Sequence, residues 1–180
     1  MGVDLARRHP TYNRFMRLNR LLFALLAIVG LVVGWNWWTS DARRIERRLG
    51  ALTDAVAKSG KENQLTLALR AEQVAGFFAQ PFSFRARQFD FETNDRGALT
   101  RAVAGYRLRS DRISPAVLHR ELEVDSTTRS ARMQVVVRFA GGLGNRGSEA
   151  YRFQLNWVEQ QGEWKIGFAD LIEIVPASVL

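Results

Sequence analysis

The chain has 180 residues, a formal net charge of +8 and no cysteine, which excludes a disulfide framework and a cysteine-based metal site. The positive charge comes from 23 arginines and 3 lysines. Nucleic-acid binding would need a basic stripe along one element of the folded part. Arg107, Arg109 and Arg112 come closest to such a stripe, and Asp111 interrupts them. We therefore expect no nucleic-acid partner.

The first predicted element is an apolar run at residues 21–38, which contains no charged side chain. As a helix it would be about 27 Å long, close to the thickness of a bilayer's hydrocarbon core. A cleaved signal peptide would end in small residues, and a core or interfacial helix would have a polar face. We therefore predict a single-pass transmembrane helix, anchored by Leu21, Trp35, Trp37 and Trp38.

The charges on the two sides of this run bear on its orientation. Residues 1–20 and the 20 residues after the run each contain five basic side chains, so the count alone is balanced. The arginines of the lead lie closer to the run, and the tryptophans stand at its other end, as they do at a membrane interface. We expect a cytoplasmic lead at 1–20 and a folded domain at 41–176 on the periplasmic side of a bacterial inner membrane.

The folded part begins with two predicted helices, and a third follows further along the chain. Apolar residues recur at helical spacing in the first helix, and capping residues or a proline mark the helix ends. The three helices are predicted at 41–59, 62–79 and 96–106. No flexible linker separates the first of them from the apolar run, so the domain is expected to stay close to the bilayer.

Five segments alternate between apolar and polar residues, as strands do. The phenylalanines of the first segment change parity near Gln88, which predicts a bulge there. The glycine-rich loop at 140–148 lacks the pattern of a phosphate-binding loop, and no helix follows it, so no cofactor is expected. The strands are predicted at 82–92, 115–125, 131–139, 149–159 and 163–175.

The order α-α-β-α-β-β-β-β resembles the NTF2-like superfamily, which includes SnoaL-like domains and ketosteroid isomerase. The resemblance is carried by the closing strand pair at 151–171 (YRFQLNWVEQQGEWKIGFADL) and by the helix at 94–106 after an alternating strand. It implies an α+β fold, a cone in which three helices pack on a curved antiparallel sheet. The layout of lead, span and domain is also similar to VirB8-like components of type IV secretion.

Isomerase-like members of this superfamily need a carboxylate base that faces a pocket tyrosine or a second acid. Asp90 is the best candidate base, although the first predicted helix contains no tyrosine. The alternative is an exposed acid that pairs with Arg85, Arg87 or Arg96. The aromatic side chains could line a pocket, but a domain of this size needs them for a filled core.

Four polar residues at period two share one face of the second predicted strand: His119, Glu121, Glu123 and Asp125. A zinc site requires three or four convergent ligands with supporting contacts. His119 and Glu121 would supply only two. Cross-strand pairing with Gln134 and Arg138 explains the row as a solvated face. We therefore predict no metal site.

Since no catalytic constellation emerges, we expect a membrane-anchored, non-catalytic accessory or scaffold subunit. Its expected partners are the lipid bilayer and a larger membrane protein complex or further copies of this chain. Outward polar side chains of the sheet are the interface candidates: Arg138, Arg152, Gln154 and Asn156. The alternative is a membrane-tethered ligand-binding or isomerase-like protein that acts on an apolar small molecule, with Asp90 facing the cavity.

Overall fold

A computed structural model describes residues 40–140 and 149–175, which form three helices and six strands. The helices are α1 (Asp41–Val56), α2 (Gln64–Ala75) and α3 (Arg96–Arg109). The strands are β1 (Phe78–Ala86), β2 (Phe91–Thr93), β3 (Ser114–Asp125), β4 (Ser130–Ala140), β5 (Glu149–Gln160) and β6 (Glu163–Val175). The predicted span at 21–38, with its anchor residues, lies outside the described residues. None of the helices within the described ranges is long and apolar enough to cross a membrane.

Helix α2 ends at Ala75, so the predicted end at Ala79 is wrong. The chain enters β1 soon after, because the backbone N–H of Ile166 donates to the carbonyl oxygen of Phe77 at 2.9 Å. Pro81 therefore lies inside a strand and does not end the helix. Pairing with a strand far along the chain overrides the local helical pattern, as tertiary contacts often do.

The single strand predicted at 82–92 is two strands joined by a turn. A 3₁₀ turn at Arg87–Phe89 follows β1, and Asp90 then adopts a left-handed backbone conformation with φ of 50°. Aspartate tolerates this conformation better than most residues do. β2 returns antiparallel to β1. The change of parity near Gln88 therefore marks a chain reversal and not a bulge.

The six strands form one sheet in the order β2-β1-β6-β5-β4-β3. The antiparallel pairing predicted for the sheet is confirmed for β3 to β6, which pair in chain order. The turn at Gln161 and Gly162 has positive φ at both residues, as two-residue hairpins prefer. β1, however, pairs parallel with β6. The α+β fold is thus confirmed, while the sheet is mixed and not antiparallel throughout.

The helices pack on one face of the sheet, and the core fills the space between them. Trp157 of β5 is fully buried there with Ile45 of α1 and Met133 of β4. Alternation from the buried Trp164 and Ile166 predicts that Phe168 points into this core as well. A register shift between Asn156 and Trp157 in the pairing of β5 with β6 instead places Phe168 opposite Asn156, on the other face. The interpretation of the aromatic side chains as core is confirmed for five of them: Phe77, Phe78, Phe82, Trp157 and Trp164.

Two buried cations hold the carboxyl ends of α1 and α3. The guanidinium of Arg107, which is 1% exposed, donates to the carbonyl oxygens of residues 55–57 at 2.8 to 3.2 Å and twice to Glu62. Lys58 Nζ donates to the carbonyl oxygens of Arg107 and Ser110, both at 2.7 Å. All five donors of the guanidinium are used, and carbonyls at both helix ends gain partners.

Candidate functional site on the outer face of the sheet

The sheet face opposite the helices, called the outer face below, carries all four predicted interface residues. Within the described residues, the helices do not pack against the outer face, since their buried apolar side chains belong to the core on the other face. The strand register aligns one polar row across all six strands: Glu121, Gln134, Gln154, Asp170, Arg85 and Glu92. This row identifies the outer face as a continuous polar surface.

All four predicted interface residues lie on the outer face. Arg138 is exposed on β4, and Arg152, Gln154 and Asn156 follow one another at period two on β5. Arg152 Nη1 lies 3.2 Å from Glu173 Oε1 of β6, so one of the two arginines is held by an ion pair. The alternation of β5 thus brings the predicted set together, as the sequence indicated.

Apolar side chains stand among these polar residues. Val136, Ala150 and Val175 form a small buried cluster that is separate from the main core, and Ala150 is opposite both Arg138 and Val175. Further along the same face the guanidinium carbon of Arg85 lies 5.4 Å from the ring centre of Phe168. Arginine and aromatic residues around a small apolar centre are typical of protein interfaces.

A shallow depression of about 180 Å³ lies in the outer face. It is lined by His119, Glu121, Gln134, Val136 and Arg152. His119 Nε2 lies 3.2 Å from Glu121 Oε1, and both side chains are exposed. Across residues 40–140 and 149–175 no three His, Cys, Asp or Glu side chains are grouped as metal ligands would be. The depression is best described as a polar recess within the interface candidates.

Asp125, the last residue of the predicted polar row, belongs to the turn between β3 and β4. Its carboxylate accepts hydrogen bonds from the Thr128 hydroxyl at 2.8 Å and from the backbone N–H groups of Thr127 and Thr128 at 2.9 and 3.2 Å. The Thr128 hydroxyl, followed by these two backbone groups, holds the pKa of the Asp125 carboxyl below its usual value. These contacts explain Asp125 as a turn residue.

Asp90, the candidate base, lies away from the outer face. It is exposed after the 3₁₀ turn and so does not face an enclosed cavity. Two of its three suggested partners are engaged elsewhere, because Arg85 pairs with Glu92 at 2.7 Å and Arg96 pairs with Glu72 at 2.6 Å. The structure thus shows Asp90 as an exposed residue of the turn between β1 and β2, and its role as a base stays a prediction.

Two outer-face residues were not identified from the sequence pattern. Val136 lies in the apolar run of residues 135–137, and such a run indicates apolar side chains on both faces of a strand. Phe168 follows Gly167, and a glycine inside a strand often marks a bulge. Both signals are visible in the sequence, but only the register shows which face each side chain takes.

No protein-family model and no curated protein matches the sequence. Solved structures match the domain: an uncharacterized cystatin-like-fold protein from Caulobacter vibrioides (16% identity, 77% of this chain and 92% of that chain, TM-score 0.59); a proposed scytalone dehydratase from Novosphingobium aromaticivorans (18%, 76% and 85%, 0.58); and an NTF2-like protein from Cytophaga hutchinsonii (10%, 73% and 97%, 0.55). At these identities the similarity shows the fold alone, which is NTF2-like.

Proposed function

We propose that this protein is a membrane-anchored, non-catalytic accessory subunit that binds a larger protein complex through the outer face of its sheet. The observation that carries the proposal is the mixture of arginines and apolar side chains on that face, with Arg138 and Arg152 beside the cluster of Val136, Ala150 and Val175. Arginine is enriched at protein interfaces and among the residues that supply most of their binding energy.

The membrane part of the proposal rests on the sequence. The uncharged run at 21–38 has the length of a membrane span, and the arginines before it favour a cytoplasmic lead. We propose that the domain lies on the periplasmic side of a bacterial inner membrane, in a layout similar to that of VirB8-like components. Only residues 39 and 40 separate the run from α1 in the sequence, which favours a domain that meets its partner close to the bilayer.

Charge reversal at two arginines tests the interface. We expect that Arg138→Glu combined with Arg152→Glu releases the chain from its complex. Each new glutamate would repel the negative groups of the partner that contact these arginines. The measurement is the size of the particle that contains the full chain after gentle detergent extraction from native membranes. The wild type should run far above its own 20.4 kDa mass plus detergent, and the double variant should run near that mass.

The matched control is Arg101→Glu, which reverses an exposed arginine on α3, away from the outer face. It should leave the particle size unchanged and show that the result does not follow from charge alone. Equal sizes for the wild type and the double variant would contradict the interface. A wild-type chain that runs alone as a monomer would contradict the accessory-subunit function itself.

The second candidate function is binding of an apolar small molecule, and one group of rings favours it. Phe89 is 58% exposed, its ring centre lies 6.4 Å from that of Tyr151, and Tyr151 lies 5.6 Å from Phe139. Exposed aromatic rings in contact can hold an apolar ligand. In this reading Asp90, which follows Phe89, would have to act on the bound molecule.

Phe89→Ser separates the two candidates. If the protein binds an apolar molecule at these rings, mass spectrometry of the intact purified full chain should show a bound small molecule. The amount bound to the variant should be at least several-fold lower than the amount bound to the wild type. Under the accessory-subunit proposal the spectra of wild type and variant should agree in their small-molecule content. Leu118→Ser, at another exposed apolar side chain, controls for a general loss of surface hydrophobicity.

A further inference from the structure

Three large apolar side chains of the helical layer point into solvent. Leu65 and Leu69 of α2 are 70% and 62% exposed, and Leu108 of α3 is 73% exposed. Leu65 and Leu69 are one turn apart with the exposed Ala68 between them, so they form a stripe on α2. Val74, on the opposite side of the helix, is buried in the core. Helix α2 therefore has apolar side chains both on its buried side and on its exposed side.

Leu108 lies at the same end of the helix pair as Leu65, because α2 and α3 run antiparallel. Glu72 near the end of α2 pairs with Arg96 at the start of α3 at 2.6 Å. Glu62, just before α2, pairs with Arg107 near the end of α3, also at 2.6 Å. The three exposed side chains, called the leucine patch below, are Leu65, Leu69 and Leu108.

The two chain segments that carry the leucine patch have an excess of basic residues. Residues 61–75 and 95–112 contain seven basic and four acidic side chains. Three of the four acids are paired within these segments: Glu62 with Arg107, Glu72 with Arg96, and Asp95 with Arg101. Apart from these pairs, the segments contain one acid, Asp111, and four basic residues: Lys61, Arg70, Arg109 and Arg112. The segments that carry the patch therefore have a net positive charge.

We propose that the leucine patch lies on the surface of a bilayer that contains anionic lipids. Exposed apolar side chains with basic residues around them are the pattern of helices that lie at a membrane interface, and anionic headgroups supply the complementary charge. The inference rests on the proposed anchor, which keeps the domain near lipid.

A single engineered cysteine tests this contact, since the chain contains none of its own. Ala68→Cys places a nitroxide label between the two leucines of α2 in the full chain, reconstituted into proteoliposomes of phosphatidylcholine with or without phosphatidylglycerol. With phosphatidylglycerol present we expect the label to be several-fold more accessible to oxygen than to a water-soluble nickel chelate. Without it the preference should weaken. Gln134→Cys, exposed on the outer face, should stay accessible to the chelate in both.

A second variant keeps the test independent of the label's own hydrophobicity. Adding Leu65→Ser and Leu69→Ser to Ala68→Cys should return the label to water, while the fold is unaffected because both leucines are exposed. A label that is open to the chelate in both kinds of liposome overturns the proposal. A label that is shielded in native membrane vesicles but open in liposomes overturns it in favour of a protein partner.

Failure of the anchor gives a different result. Alkaline carbonate should leave the full chain in the liposomes if residues 21–38 span the bilayer. Release by carbonate would contradict the proposed membrane anchor, whatever the label reports. Retention with a water-exposed label at Ala68→Cys would contradict only the contact of the leucine patch.

Discussion

Replacing Arg107 with methionine should lower the free energy of unfolding by about 3–5 kcal/mol, the usual cost of removing one partner of a buried ion pair. The change leaves the largely buried Glu62 carboxylate without its guanidinium and takes the hydrogen bonds from the carbonyl oxygens of residues 55–57. An unpaired buried charge and unsatisfied carbonyls both destabilise a fold. Urea unfolding of the full chain in detergent, followed by far-ultraviolet circular dichroism, measures the effect.

Arg109→Met is the matched control, because it removes an exposed arginine two residues further along α3. Its effect should stay within about 0.5 kcal/mol. Arg107→Lys should restore only part of the stability, since an ammonium group has three donors and cannot bind a carboxylate in the bidentate way. Similar losses for Arg107→Met and Arg109→Met would contradict the role of the buried guanidinium.

Trp157→Ala should cost about 3–5 kcal/mol of unfolding free energy, the range observed for large aromatic truncations in cores. Trp157 is 0% exposed and is the largest fully buried side chain among the described residues. Its neighbours across the sheet, Ala131 and Ile166, are also buried and belong to strands that cannot close the cavity without breaking register. The same urea titration checks this expectation.

Two conservative substitutions separate packing from hydrogen bonding. Trp157 Nε1 makes no hydrogen bond within the described residues, whereas Trp164 Nε1 donates to Asp41 Oδ1 at 3.3 Å. Trp157→Phe loses ring volume but also removes a buried donor without a partner. Trp164→Phe loses volume and a bond to a charged acceptor. We expect Trp164→Phe to be the more destabilising of the two, and the reverse order would contradict this account.

The parts of the fold that could be predicted from the sequence are those with local causes. Alternation located β3 to β6 closely, apolar spacing located α1, and a capping residue located the start of α3. The end of α2 was missed because it depends on the parallel pairing of β1 with β6. The division between β1 and β2 was missed because the change of parity near Gln88 was interpreted as a bulge and not as a turn. Nothing near residue 78 in the sequence reveals that its partner is Ile166. Distant pairings of this kind carry no local signal.

The candidate surface was predictable for a similar reason, and its limits are instructive. Period two on β5 was enough to place Arg152, Gln154 and Asn156 on one face. It was not enough to place Phe168, whose face depends on a bulge. Arg107 was interpreted as part of a solvated basic segment, because its type gives no sign of burial when the groups that pair with it lie about 45 residues away.

The position of β6 in the sheet affects the order in which a growing chain can fold. β6 is the last strand of the described residues, yet it lies between β5 and β1, and the residue that pairs with Phe78 comes 88 positions later. Helices and neighbouring hairpins close early because their loops are short. β1 cannot form its parallel pairing until β6 has been synthesised. A chain whose residues 21–38 enter the membrane first would therefore be tethered before its domain is complete.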